Sequence, residues 1–183
     1  GENLKFVKGH NLVFSQIETE FFQLVNQDLI LASTYVEELV KLFDDPKVGA
    51  ANGKIYQYDF VNNKALTKLD TTGVTVYKTG RALSRGQNQE DVGQYDTQFD
   101  LMAVDGAACM YRKSALDSVK YQRPDGSYEY FDVDFHMYWE DVDLSWRMVN
   151  AGWKCKYSPK AIGYHGRTAA ASPGGYKKVW SYV

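Results

Sequence analysis

Between Tyr138 and Arg147 the chain reads Tyr-Trp-Glu-Asp-Val-Asp-Leu-Ser-Trp-Arg, three carboxylates within four positions and then an apolar pattern of helical period. A helix that begins here carries Glu140, Asp141 and Asp143 in its first turn and aims Leu144, Met148 and Ala151 at a core. Ala151-Gly152 supplies a fitting end. Unpaired N–H groups and the helix dipole favour ionised carboxylates at such a start. A carboxylate fixed at the rim of a rigid helix can serve as a base or a metal ligand. The same residues also suit a plain acidic helix start, with Asp143 and Arg147 paired one turn apart.

The segments on either side demand a mixed α/β architecture. Leu4 to Val7 reads as a short strand and Gly9-His10-Asn11 as a turn. Phe21 to Val25 is an apolar run of strand length that Asn26-Gln27-Asp28 closes. Ser33 or Thr34 can cap a helix with Val36, Leu39, Val40 and Phe43 at helical spacing, and Pro46 ends it. Val48 to Tyr58 and Ala65 to Tyr77 read as two strands of a hairpin around Asn62-Asn63, the second broken near Gly73. Thr79 to Phe99 is polar and aperiodic, which predicts a mobile loop. Val104 to Tyr111 is a strand and Lys113 to Val119 a short helix. Tyr121 to Tyr130 is a loop around Pro124-Asp125-Gly126. Trp153 to Tyr157 and Ala161 to Tyr164 are two short strands flanking Pro159. After His165 the chain turns small and Gly-rich, which predicts a flexible tail over 168–183.

A length of 183 residues is enough for one domain with a real core. A formal net charge of −2 provides no basic field for nucleic acid. No apolar run approaches the roughly 20 residues that span a bilayer, and no charged-then-apolar leader stands at the N-terminus, so no secretory signal is expected. Cys109 and Cys155 each sit in an apolar, strand-like stretch. They read as buried reduced thiols in a reducing, cytoplasmic setting, with a disulfide between them left open. Aromatic residues make up 15% of the chain; such side chains fill cores and also form flat walls for sugar rings.

Several points could carry chemistry. Asn26 and Asp28 stand at a strand tip, and ligands bind at that edge of open α/β sheets. An aspartate there can hold a hard divalent cation, and Asn-x-Asp also suits an ordinary turn. Asp141 and Glu140 could collect the proton of an attacking hydroxyl. His165, after a strand, could complete a cation site begun by Asp28. Gly106-Ala107-Ala108 allows close packing or a flat floor under a sugar. Asp132-x-Asp134-x-His136 is not a calcium loop, because Met137 stands where the turn glycine belongs. A glycosidase would also use paired carboxylates, yet adjacent Glu140 and Asp141 diverge on one helical turn and do not naturally flank a bond.

The ordered set Gly9-His10-Asn11, Asn26-Gln27-Asp28, Gly106 to Arg112, Glu140 to Arg147, Ala151-Gly152-Trp153 and Tyr164-His165 resembles the family 2 inverting glycosyltransferases, and most nearly their rhamnosyltransferase-like branch. The resemblance runs from about Leu4 to His165. It implies a GT-A fold, a Rossmann-like mixed sheet flanked by helices, here without its N-terminal strands. It implies Mn²⁺ or Mg²⁺ held by Asp28 and His165, with Asn26 beside them. It assigns the catalytic base to Asp141, with Glu140 orienting the acceptor or sharing that role. Contacts to donor and acceptor fall to His10, Asn11, Asn26, Gly106, Ala107, Trp139 and Arg147. Gln27 stands where many relatives have proline.

These expectations describe a glycosyltransferase segment in which residues 1–60 are the remainder of the donor and metal half and residues 61–167 the acceptor side. The implied partners are a nucleotide-diphosphate sugar and a glycan or lipid-linked acceptor, as in cell-wall polysaccharide synthesis. A site at the inner face of the membrane, with peripheral association, fits a lipid-linked acceptor. Strand edges left open by an absent N-terminal unit would favour self-association. The alternative is a carbohydrate-binding or scaffold module of the same fold that has lost catalysis.

Overall fold

A computed structural model describes residues 4–135 and 138–166; the expected tail over 168–183 lies outside them. In chain order the elements are α1 (Lys5–Phe14), β1 (Phe21–Gln23), β2 (Leu29–Leu31), α2 (Tyr35–Val40), β3 (Val48–Asp59), β4 (Lys64–Thr71), β5 (Val74–Val76), β6 (Ala82–Ser84), β7 (Phe99–Leu101), β8 (Cys109–Arg112), α3 (Lys113–Val119), β9 (Tyr121–Gln122), β10 (Tyr128–Glu129), α4 (Glu140–Asn150) and β11 (Lys154–His165). The main sheet runs β1-β8-β3-β11-β2, with β4 added to β3 and β7 to β11. Among the described residues only β3 and β11 pair in parallel; their other partners run antiparallel.

Both faces of this sheet are covered, and the pleat shows it. Ala50, Cys109, Tyr111, Cys155 and Tyr157 join the core under α1, α3 and α4, which includes Val7, Phe14, Leu116, Leu144 and Met148. Their neighbours Ala51, Ala108 and Met110 join a second core with Tyr35, Leu39, Phe43 and Ile55. Alternate residues thus serve opposite layers. A strand covered on both faces reads as one continuous buried run, and β3 is buried from Val48 to Ile55. Both cysteines are free and buried.

The central pair is tight. The β3–β11 register shifts between Ser158 and Ile162, around Pro159, where a residue without an N–H interrupts the ladder. A Cβ on Gly53 would lie 2.3 Å from the Ala161 carbonyl and 2.5 Å from the Tyr35 ring, so only glycine fits. The Tyr35 hydroxyl donates to the Ala108 carbonyl at 2.5 Å and accepts from the Gly53 N–H at 3.2 Å. That one buried phenol ties α2, β3 and the approach to β8 together.

Several elements differ from the sequence expectation. The residues read as a strand over Leu4–Val7 and a turn at Gly9 form one helix, α1. Val7 and Phe14, seven apart, share its buried face, and the glycine is simply tolerated within it. In α2 the helix and its end before Pro46 appear as expected, but Val36 and Val40 are exposed; the buried stripe is Tyr35 and Leu39, continued by Leu42 and Phe43 in a 3₁₀ turn. The two short strands around Pro159 are one strand, β11. Tyr121–Tyr130 contains a small hairpin, β9–β10.

The Thr79–Phe99 segment is not a free loop. It contributes β6, which pairs with β5, and residues 85–91 exchange backbone hydrogen bonds with residues 67–73. Buried Lys54 pins it by ion pairs to Asp91 at 2.8 Å and Asp96 at 2.5 Å, and the Tyr56 hydroxyl also donates to Asp91. These partners lie 35 to 42 residues apart in sequence, so local pattern carries no trace of them. No helix among the described residues is long and apolar enough to cross a membrane.

Tyr35→Phe should leave the Gly53 N–H without an acceptor in the core and remove a donor from Ala108. It is expected to cost about 1–3 kcal/mol, read as a lowered denaturation midpoint at unchanged slope in urea titration.

Candidate functional site

The site gathers where β1 ends, β8 begins and β11 ends. Beyond β1 the chain stays beside the residues leading into β8: the Leu24 N–H donates to Cys109 O at 2.8 Å and the Asn26 N–H to Ala107 O at 2.9 Å. Next to Ala107, the Gly106 N–H donates to Asp141 Oδ2 at 2.7 Å. Two residues beyond Asn26 comes Asp28, at most about 7 Å of chain away. There Asp28 Oδ1 lies 3.2 Å from His165 Nε2, and the Asp28 carbonyl accepts from the Gly166 N–H at 3.0 Å. A short row of contacts therefore joins the strand tip, the glycine turn, the acidic helix mouth and the late imidazole.

Each of these groups is held by the fold. The turn before β8 is anchored by Asn52, wholly buried in β3, whose amide donates to Ala108 O at 3.1 Å and accepts from the Asp105 N–H. Gly106 lies tight against the acid: a Cβ there would sit 3.2 Å from Asp141 Oδ2 and 3.3 Å from Asp141 Cβ and would press the carboxylate aside by a few tenths of an ångström. Asp141 Oδ1 also accepts from the Val142 N–H at 2.8 Å, so backbone donors hold both carboxylate oxygens. His165 is buried in the β11–β2 ladder opposite Leu29. Its Nδ1 lies 2.7 Å from Oδ2 of Asp70, a wholly buried residue. Both ring nitrogens thus face carboxylate oxygens, which only accept, and the closer contact is the one from Nδ1 to Asp70.

Three acids crowd the helix mouth. Asp105 is buried and accepts from the Ala107 N–H and the Ser84 hydroxyl, both at 3.1 Å. Burial raises the Asp141 carboxyl from its ordinary range to about 6, and the Asp105 charge adds to that rise. Burial likewise lifts Glu140 to about 7, helped by repulsion from Asp141 and Asp105. Glu140 is 5% exposed, and its Oε2 has no hydrogen-bond partner. Two successive aromatic residues in left-handed backbone geometry, Tyr138 (φ 71°) and Trp139 (φ 75°), lead into this turn. Such residues are costly outside glycine. Trp139 is half exposed at the mouth.

Three expected site residues are spent elsewhere. Asn11 donates to Phe131 O at 2.7 Å and accepts from the Tyr130 and Phe131 N–H groups at 3.0 and 2.8 Å. His10 bonds Phe6 O within α1 and packs, tilted by 43°, against the Phe6 ring at 4.1 Å between centroids. These two fasten α1 to the 130–131 segment and are structural. Arg147 pairs with Asp143 at 2.7 Å, donates to Val119 O and Tyr130 O, both at 2.5 Å, and lies over the Tyr121 ring. A guanidinium with its donors filled in this way clamps the fold. The residues that sequence reasoning missed are Asn52, Asp70 and Asp105. Each stands alone in a strand-like or turn-like stretch, and only pairing across the sheet brings it to the site.

A family model described as glycosyltransferase like family 2 matches residues 2–180. No curated sequence matches the chain significantly. Among solved structures, the crystal structure of GalNAc-T7 with UDP, GalNAc and Mn²⁺ is similar at a TM-score of 0.60 and 7% identity. That match covers 88% of this chain and 30% of the other, so the chain spans under a third of that protein's length. The mixed sheet flanked by helices is a GT-A fold.

Glu140→Gln should stabilise the protein at neutral and higher pH. Its folded carboxyl ionises near 7 and an unfolded one near 4.5. The unfolded chain therefore binds fewer protons between these values, and wild-type stability falls as pH rises through that window. The variant is expected to exceed wild type by about 1–3 kcal/mol at pH 8 and to match it near pH 4, as read by denaturant titration at both pH values.

Proposed function

The chain belongs to the glycosyltransferase-like family 2, and we propose that it provides the cation and base groups for transfer of a sugar from a nucleotide-diphosphate donor to a hydroxyl acceptor, with inversion. The observation that supports this most is the link between two chemistries: the Asp28–His165 pair and the Asp141 carboxylate stand at two ends of one hydrogen-bonded row.

The pair suits Mn²⁺ or Mg²⁺. Asp28 offers a hard oxygen, and Nε2 of His165, once deprotonated, would offer a nitrogen beside it while Nδ1 stays bonded to Asp70. At 3.2 Å the two groups are close enough for one cation to replace the proton they share. Among the described residues no group of three or more His, Cys, Asp or Glu side chains is placed to hold a metal ion, so diphosphate oxygens and water would have to supply the rest of the shell. A bound divalent cation would offset the charge that develops on the diphosphate leaving group.

Asp141 takes the acceptor's hydroxyl proton as the acceptor oxygen attacks the anomeric carbon from the face opposite the diphosphate. The new carbon–oxygen bond forms, the bond to the diphosphate breaks, and the electron pair leaves with it. One displacement inverts the anomeric centre, and no covalent enzyme intermediate arises. An ordinary exposed carboxylate is a weak base; one raised to about 6 is a stronger base that is still ionised at neutral pH. Its backbone donors fix the direction in which it faces. Glu140, neutral for much of the time near pH 7, can donate to the acceptor and so orient it. Half-exposed Trp139 and Trp146 offer rings against which an acceptor sugar can lie. The rhamnosyltransferase-like resemblance favours rhamnose on deoxythymidine diphosphate as the donor and a glycan or lipid-linked acceptor, with the reaction at the inner face of the membrane.

Asp141→Asn should lower transfer about 10²–10⁴-fold with the fold intact by circular dichroism. The wild-type rate should fall about tenfold per pH unit below pH 6. Chelation should abolish turnover, and added Mn²⁺ or Mg²⁺ should restore it. A folded Asp141→Asn protein with wild-type turnover would overturn the base assignment. Glycan binding with neither nucleotide binding nor turnover would favour a non-catalytic module.

A further inference from the structure

We infer that Asp70 is a positioning residue for the cation site: it accepts from Nδ1 of His165 and so sets the ring orientation that turns Nε2 toward Asp28, where a cation would take the place of the Nε2 proton. This rests on the cation reading above.

The β3–β4 ladder is irregular where Asp70 stands. Ile55 pairs with Thr71, and the next residue, Tyr56, pairs with Leu69. Asp70 is thus the extra residue of a β-bulge, a device that re-aims a side chain out of the regular pleat. Its carboxylate meets His165 Nδ1 at 2.7 Å, whereas Nε2 stands 3.2 Å from Asp28. The shorter contact has the length of a charge-assisted hydrogen bond. It holds the ring in one orientation, and a hydrogen bond to the far nitrogen is how a metal-binding imidazole is commonly oriented and made more basic.

The bulge is braced from its far side. The Leu69 N–H donates to Gln89 O at 2.8 Å, and Leu69 O accepts from the Asn88 N–H at 2.9 Å. Gln57, which lies opposite His165 in the β3–β11 ladder, donates to Leu69 O and to Asn88 Oδ1 at 3.2 and 2.8 Å. The Lys54–Asp91–Tyr56 cluster anchors the end of that bracing segment. The polar 79–99 stretch therefore clamps the strand that delivers Asp70. A wholly buried aspartate is a poor choice for stability alone, since desolvation of a charge is costly even when it is paired.

The test uses the full chain, ¹⁵N-labelled at histidine and free of metal, with long-range ¹H–¹⁵N NMR at pH 8, and titration with Mn²⁺ alone read by electron paramagnetic resonance. Wild type should show His165 protonated on Nδ1. Asp70→Asn should move proton population to Nε2 and weaken Mn²⁺ binding about 10–100-fold. If either the tautomer or the affinity is unchanged in a folded Asp70→Asn protein, the inference is overturned. Should that variant not fold, wild type decides: a His165 proton on Nε2 with Nδ1 bare overturns the inference, and a proton on Nδ1 supports it. His165→Ala separates the two levels. If it leaves Mn²⁺ affinity unchanged, the cation reading itself fails; if it removes binding while Asp70→Asn does not weaken it, the role of Asp70 alone fails.

Discussion

The parallel pairing of β3 with β11 is the constraint on which the rest of the structure depends. It requires a glycine at position 53, where the Ala161 carbonyl and the Tyr35 ring leave no space for a methyl group. Through the Tyr35 hydroxyl it fixes the height of the Ala108 carbonyl, and Asn52 secures the same turn from the same strand. One end of the pairing delivers His165 opposite Gln57; the turn it secures delivers Gly106 to Asp141. His165 is thus carried by a strand and Asp141 by a helix, while Asp28 and Gly106 stand in turns tied to those elements by hydrogen bonds.

The electrostatics of the site work against stability. Asp70, Asp105 and Glu140 are buried, and Asp141 is lifted by burial and by Asp105. Each would be better solvated in an unfolded chain. The fold accommodates them by different means: backbone N–H donors for Asp141 and Asp105, an imidazole for Asp70, and a raised affinity for a proton in Glu140. Adjacent carboxyls whose pKa values are pushed upward, as in Glu140 and Asp141, are the pattern expected of acid–base machinery. By contrast, the Asp143–Arg147 pair one turn further along α4 is fully engaged in bracing the 119–131 region.

Much of this was legible in the sequence where a signal is local. The α4 start at Glu140 and its stop before Gly152, the α3 helix and the long β3 strand follow from periodicity and from cap and breaker residues. The convergence of Asp28 with His165 came from the ordered motif set, not from any one motif. The failures share one cause. Gly9 suggested a turn, but the aromatic packing of Phe6, His10 and Phe14 against Phe131 holds a helix there. Polarity in 79–99 suggested mobility, but Lys54 and the edge of β4 supply distant partners. Asp70 looked like one more polar residue in a hairpin strand, because a bulge is a property of two strands in register and leaves no mark on either alone.

The central claim is that Asp28, His165 and Asp141 serve one cleft. Paramagnetic broadening by Mn²⁺, added at substoichiometric levels to the ¹⁵N-labelled chain with a nucleoside diphosphate present, measures this most directly. The account predicts that the amide signals of Asn26, Gly106, Asp141 and Gly166 broaden together and first. Broadening that spares Gly106 and Asp141 while affecting Gly166, or that spreads evenly over surface carboxylates, would contradict it.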